Sequence, residues 1–305
     1  VVVSTWLQDG RKDEEEEYER LVRLGLMVCD ATACKPAYGP IGEKVPRYVD
    51  RAVALVPDDR HDALMIVEAR ELSTRSREYN EVITVTVCGD MTCAEPRTKE
   101  LARLPSSPMS AVRGGLVAGE DTMGLPVVLR FDKFKNVLTL ITCEPPGCAK
   151  VHQRRLVESG WTWLHSGVEG QAGAAMVVRK DGRPLIAYRD AADGSVRMLD
   201  CRTLDCTESD SVILSGPSRF GMTPALALTG DGRALVAYVD GDDDQVMVAS
   251  CAGTQCVHAP VAPEGTWAGD AVTLTLDDQG RPVVGWSDTS GSRWNPVLTT
   301  VHNLL

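Results

Sequence analysis

All ten cysteines of this chain fall into five pairs with one spacing, C-x4-C. They are "CDATAC" (Cys29, Cys34), "CGDMTC" (Cys88, Cys93), "CEPPGC" (Cys143, Cys148), "CRTLDC" (Cys201, Cys206) and "CAGTQC" (Cys251, Cys256). Their first cysteines stand at 29, 88, 143, 201 and 251, so the pattern returns every 50 to 59 residues. Recurrence at such a period marks a repeat architecture, in which one supersecondary unit is copied and stacked. The fold must therefore be built from copies of one short unit.

Aligning the copies on their cysteines exposes that unit. "MVVRKDGRPLIAYRDAADGSVRMLDC", "LALTGDGRALVAYVDGDDDQVMVASC" and "LTLDDQGRPVVGWSDTSGSRWNPVLTTVH" share two short apolar runs around a Gly-containing turn, a variable loop and a third run. "GGLVAGEDTMGLPVVLRFDKFKNVLTLITC" follows the same plan, and "RAVALVPDDRHDALMIVEARELSTRSREYNEVITVTVC" follows it with a longer loop, "ARELSTRSREYNE". In each "DGR" turn (Asp181-Gly182-Arg183, Asp231-Gly232-Arg233), Gly accepts positive φ and Asp bonds its own backbone, as short hairpin loops require. Pro184 and Pro282 open strands, where no ladder bond is lost. Aromatics make up only 5% of residues, and Val- and Leu-rich runs are broken by Gly, Pro and Asp, which reads as strands rather than long helices.

Strand, turn, strand, loop, strand, cysteine turn, strand in about 50 residues is one four-stranded blade of a β-propeller. Second strands begin near Val1, Ala63, Pro126, Pro184, Ala234 and Pro282, which predicts an all-β, six-bladed propeller. The expected organisation is one domain, 1–305, with units 1–46, 47–108, 109–168, 169–218, 219–266 and 267–305. The first copy lacks an innermost strand, and the last stops at its third strand with His302 in the cysteine position. Either residues before Val1 close the ring or the closing blades are short; a seventh blade is the alternative. The start "VVVSTWLQDG" has no initiator Met and no signal-peptide pattern, and reads as processed or truncated.

A C-x4-C pair is half of a tetrahedral zinc site, but pairs on different blades point apart and no His pattern accompanies them. Redox C-x-x-C chemistry uses a shorter spacing. The expectation is ten cysteines in five structural disulfides, each joining residues directly opposite across an outer hairpin. Closing so short a loop contributes roughly 2 kcal/mol by chain entropy. Locally paired cysteines in even number place the chain in an oxidising, secreted or extracellular setting. A net charge of −11 excludes a nucleic-acid surface, and no apolar stretch of ~18 residues is present for membrane insertion.

In propellers generally, second-to-third loops and blade-linking loops share one face, and the turns carrying the cysteines share the other. The first face carries the variation, so function is expected there. Asp132, Asp190, Asp240 and Asp288 share one position at the ends of second strands, with Asp9 one residue off register. Blade-linking segments add Trp161, Trp163, His165, Arg219, Phe220 and Trp267; Trp294, Tyr18, Tyr79 and Phe134 belong to the other loops. Aromatic faces beside carboxylates and Arg suit a sugar ring and its hydroxyls, though a repeated Asp also forms turns and a linker Trp also packs between blades. Asp240, Asp242 and Asp244 alternate like calcium ligands but lack the Gly and distal acid of an EF-hand, so no metal or other cofactor is expected; the loop reads as a solvated acidic turn. The "DEEEE" run reads as a loop tip or a patch for a basic partner.

Copies such as "DGRPLIAYRDAADGSVRMLDCRTLDC" resemble the repeats of sialidase-like and lectin-like propellers in secreted bacterial proteins. The S-x-D-x-G-x-T-W box of the enzymes is absent beyond "GTW" at Gly265 to Trp267, and no arginine triad is assignable. The module also resembles the propeller lectin domains of actinobacterial umbrella toxin particles, which implies surface-glycan binding within a multi-subunit secreted complex. The reading that follows is a non-catalytic secreted recognition module for carbohydrate, whose glycan or protein partner meets the variable-loop face. A protein-interaction scaffold is the alternative, and a glycoside hydrolase or lyase built on the Asp positions is the third. G-x-S-x-G, H-E-x-x-H and P-loop motifs are missing, so those enzyme classes drop out.

Overall fold

The computed structural model describes the chain apart from residues 1, 9–20, 30–33, 47–50, 59–62, 74–78, 91–92, 94, 106–114, 133–136, 159–172, 191, 218–222, 241–244, 262–267, 289–294 and 302–305. The chain forms two compact units, Val1–Val112 and Arg113–Leu305. Described secondary structure is antiparallel β throughout, and among the described residues no helix is long and apolar enough to cross a membrane.

The first unit holds two sheets. One orders β1 (Val2–Gln8), β2 (Leu21–Cys29) and β3 (Cys34–Pro46). The other orders β4 (Arg51–Asp58), β5 (Ala63–Ser73), β6 (Tyr79–Cys88) and β7 (Arg97–Pro105). Here β5 and β6 run well into the segment read as a long loop, pairing as far as Ser73 with Tyr79. A β-ladder extends as long as facing backbone groups can bond, whatever the side chains suggest.

The second unit holds four sheets. Their strands are β8 (Leu116–Glu120), β9 (Pro126–Asp132), β10 (Val137–Glu144) and β11 (Lys150–Glu158); then β12 (Ala174–Val178), β13 (Pro184–Arg189), β14 (Val196–Cys201) and β15 (Ser209–Ile213). Next come β16 (Ala225–Leu228), β17 (Ala234–Asp240), β18 (Gln245–Ala252) and β19 (Gln255–Pro260), and last β20 (Ala268–Leu276), β21 (Pro282–Asp288) and β22 (Asn295–Thr300). Successive first strands touch: β8 meets β12, β12 meets β16, and β16 meets β20. The second strands are buried on both faces, every residue of β9 and β13 being buried, which explains why they are mostly apolar. Fourth strands alternate, as in Ser209–Ile213, because one face meets water.

Within the second unit, apolar clusters fill the space between neighbouring sheets. Leu129, Phe131, Leu138 and Leu140 meet Met176, Ile186, Tyr188 and Leu199. Leu185, Ala187 and Met198 meet Val236, Tyr238 and Ala249, and Val246 and Val248 meet Val272, Val284 and Trp286. Each such aliphatic side chain contributes ~2 kcal/mol by leaving water.

Four disulfides are described: Cys88–Cys93, Cys143–Cys148, Cys201–Cys206 and Cys251–Cys256, each joining residues five apart in sequence. The expectation of cysteines directly opposite each other holds for Cys251 and Cys256, which pair in register. It fails for two others: Cys143 lies opposite Val151, and Cys201 opposite Ser209. In three clamps the second cysteine turns inward at positive φ, 55° at Cys93, 61° at Cys148 and 54° at Cys206. That backbone state is costly for a side chain and aims Sγ at the core. Cys201 and Cys206 accordingly join the core beside Leu199.

Candidate functional site

The turns between first and second strands, on the cysteine side of each sheet, are closed by their own residues. Asp121 Oδ1 accepts the Met123 and Leu125 amides at 2.8 Å each, and Asp277 Oδ1 accepts those of Gln279 and Arg281 at 3.0 and 2.8 Å. Gly182 and Gly232 take φ of 85° and 87° there, as the tight hairpin demands. The arginine of each turn returns to its aspartate: Arg183 to Asp181 and Arg281 to Asp277 at 2.7 Å, and Arg233 to Asp231 at 3.3 Å. Arg179 then ties neighbouring sheets, donating to the Gly232 carbonyl and to Asp200 at 3.0 Å each.

The opposite ends of the second strands differ. The position six residues after Pro126, Pro184, Ala234 and Pro282 is Asp132, Asp190, Asp240 and Asp288, all on the second unit. Asp132 and Asp190 are 8% and 6% exposed; Asp240 and Asp288 are partly exposed. Burial of a carboxylate costs several kcal/mol unless partners compensate. At Asp190 the partners are plain. Oδ1 accepts the Ala192 amide at 2.9 Å, and Oδ2 meets Arg197 at 3.3 Å. Arg197 also reaches Asp193 at 2.8 Å and the Ser195 hydroxyl at 2.9 Å. Burial opposes ionisation of Asp193, but the Ser195 hydroxyl and amide and the Arg197 guanidinium hold its carboxyl below the usual range.

Sequence reading missed the cations beside these aspartates. Arg130 and Arg189 interrupt otherwise apolar strands and are 2% and 4% exposed. Arg130 donates to the Phe131 carbonyl, and burial brings Arg189 down to about 10 against the opposing pull of Asp193. Burial, with the Asp190 charge next in weight, pushes the Tyr188 hydroxyl up to about 12. The available signal was a charge within an apolar strand at Arg130 and at the end of one at Arg189. In the first unit β5 carries Glu68 and Arg70, and Glu81 on β6 is 2% exposed.

The remaining candidates are placed as follows. Trp161, Trp163, His165, Arg219, Phe220, Trp267, Trp294, Asp9, Tyr18, Phe134, Asp242 and Asp244 lie outside the described residues. Tyr79 opens β6. Among the described residues no three His, Cys, Asp or Glu side chains gather as a metal site.

No protein-family model and no curated protein matches the sequence. Solved structures do match in shape. A Hadza microbial sialidase, Hz136, aligns at TM-score 0.53 and 12% identity over 100% of this chain and 64% of that one. AofleA from Arthrobotrys oligospora aligns at 0.50 and 11% over 99% and 89%. The fold is that of a sialidase-like β-propeller. A Synechocystis apocarotenoid oxygenase mutant aligns at 0.52 and 11% over 92% and 66%. Further likenesses, at TM-scores of 0.37 to 0.49, are named as an endo-arabinase, an alpha-L-arabinofuranosidase, an alpha-L-arabinanase, a beta 1,3 galactosidase and an exo-beta-1,3-galactanase. The sialidase aligned above corrects the expectation of a non-catalytic module and of a chain that is no enzyme: such a fold hosts catalysis, so a missing sequence motif is no argument against it.

Proposed function

We propose that this chain is an exported, six-bladed propeller that hydrolyses glycosidic bonds from the face where its second strands end. The observation that carries the reading is the pair of buried aspartates, Asp132 and Asp190, recurring at one strand position beside buried arginines. Glycoside cleavage needs two carboxylates ~5–10 Å apart, one ionised and one protonated, on either side of the bond. Asp190, held by Arg197 and the Ala192 amide, serves as the anion that stabilises positive charge on the sugar or attacks it. Asp132, from the neighbouring sheet, serves as its acid partner. Trp161, Trp163 and Trp267 stack on sugar faces, with His165, Arg219, Phe220, Trp294, Asp240 and Asp288 lining the rest of the same face.

Four disulfides support export, since such bonds persist in oxidising compartments. The resemblance to umbrella toxin particles extends the proposal to a place in a larger secreted assembly. The test is hydrolysis of a panel of aryl glycosides and polysaccharides. Turnover is expected, with Asp190→Asn and Asp132→Asn each lowering it at least ~100-fold while the circular dichroism of the folded chain is retained. Asp277→Asn, on the cysteine side, is expected to leave it intact. Saturable glycan binding without any release of sugar overturns the reading.

A further inference from the structure

The geometry points to Cys251–Cys256 as a thiol-exchange site, a disulfide that opens to small thiols while the sheet around it stays folded. The four described clamps are of two kinds. Cys93, Cys148 and Cys206 are 0%, 4% and 3% exposed and sit at positive φ, each turned into the core. Cys256 is partly exposed, lies in strand β19, and follows four exposed residues, 252–255. In this turn the positive φ of 61° falls on Gly253, which bears it without cost.

Two consequences separate the kinds. Exchange requires a thiolate to approach one sulfur along the S–S axis, so it follows access. Cys256 offers that approach from solvent, whereas its three counterparts are buried. Opening also has different structural effects. An inward cysteine needs its bond to hold a strained backbone in the core. The bond at Cys251–Cys256 spans a ladder that continues on both sides, through Ser250 with Val257 and Ala252 with Gln255. The reaction balances with two equivalents of thiol. One thiolate attacks Cys256 Sγ, forming a mixed disulfide and releasing Cys251 as a thiolate that takes a proton from solvent. A second thiol displaces Cys256, leaving two cysteine thiols and one oxidised thiol pair.

Graded reduced glutathione, applied to the full folded chain, quenched with iodoacetamide and mapped by peptide mass spectrometry, tests the site. Label or glutathione is expected on Cys251 and Cys256 at ~10-fold lower thiol than on the Cys88, Cys143 or Cys201 pairs, with unchanged circular dichroism. Opening of any of those three pairs at the same or lower thiol overturns the proposal. So does loss of the folded signal in step with opening of Cys251–Cys256. A Cys251→Ser/Cys256→Ser variant gives an independent check: it is expected to fold with its cooperative transition intact, and failure to do so also overturns the idea.

Discussion

The fifth and sixth sheets, β16–β19 and β20–β22, are copies of one unit that meet different surroundings. In the third strand, the residue opposite the fourth position of the second strand is Leu140, Met198, Val248 and Leu298 in successive sheets of the second unit. The first three are 1%, 1% and 0% exposed; Leu298 is 76% exposed. Equivalent side chains thus range from fully buried, against apolar residues of the next sheet, to open. The same pair differs at the second-strand aromatic. Tyr238 donates to the Leu214 carbonyl at 3.1 Å and meets His258 Nδ1 at 2.9 Å, while Trp286 Nε1, also buried, finds no partner among the described residues. Blade design is encoded in each copy, and its energetic worth is supplied by the neighbour.

Substitutions can break or sharpen that contrast. The largest effect is expected from Val248→Ala, at about 2 kcal/mol lost, against less than ~0.5 kcal/mol for Leu298→Ala. Urea unfolding of both variants measures it, and equal losses would show that the last sheet is as well covered as the fifth. Next comes Tyr238→Phe, which strands the Leu214 carbonyl and is expected to cost ~1 kcal/mol in the same assay. Burial holds the Tyr238 hydroxyl protonated well above its usual range, so the phenol's own ionisation adds nothing to that loss between pH 6 and 9.

The smallest effect concerns a feature both sheets share. Backbone amides and Arg281 hold the Asp277 carboxyl low; Thr229, Arg233 and nearby amides do so for Asp231. A depressed folded pKa means stability fully present above the ordinary carboxylate value near ~3.8 and lost as pH falls through the folded one. Melting temperatures are therefore expected to drop below about pH 4. Asp277→Asn and Asp231→Asn should flatten that limb equally, and unequal flattening would locate the acid sensitivity in one sheet.

Much of this was legible in the sequence. Second strands expected near Val1, Ala63, Pro126, Pro184, Ala234 and Pro282 are found at Val2, Ala63, Pro126, Pro184, Ala234 and Pro282. Apolar periodicity and turn chemistry act locally, so they can be read locally. The three inward cysteines could not be read, because four intervening residues fit a facing hairpin and a left-handed turn alike. Arg130 and Arg189 were hidden for another reason. Each is a single charge at or near the end of an apolar strand, and only coordinates show that it is buried. The aspartates were visible as a recurrence, but only coordinates separate the buried Asp132 and Asp190 from the wetter Asp240 and Asp288.

The chain of contacts β8 to β12 to β16 to β20 has a dynamic corollary. Sheets coupled only to their neighbours melt like a row of linked segments rather than as one block. Opening is easiest where the side chains of a segment are least buried. Amide protons of β22 should therefore exchange faster than those of β10, β14 and β18, the other third strands of the second unit.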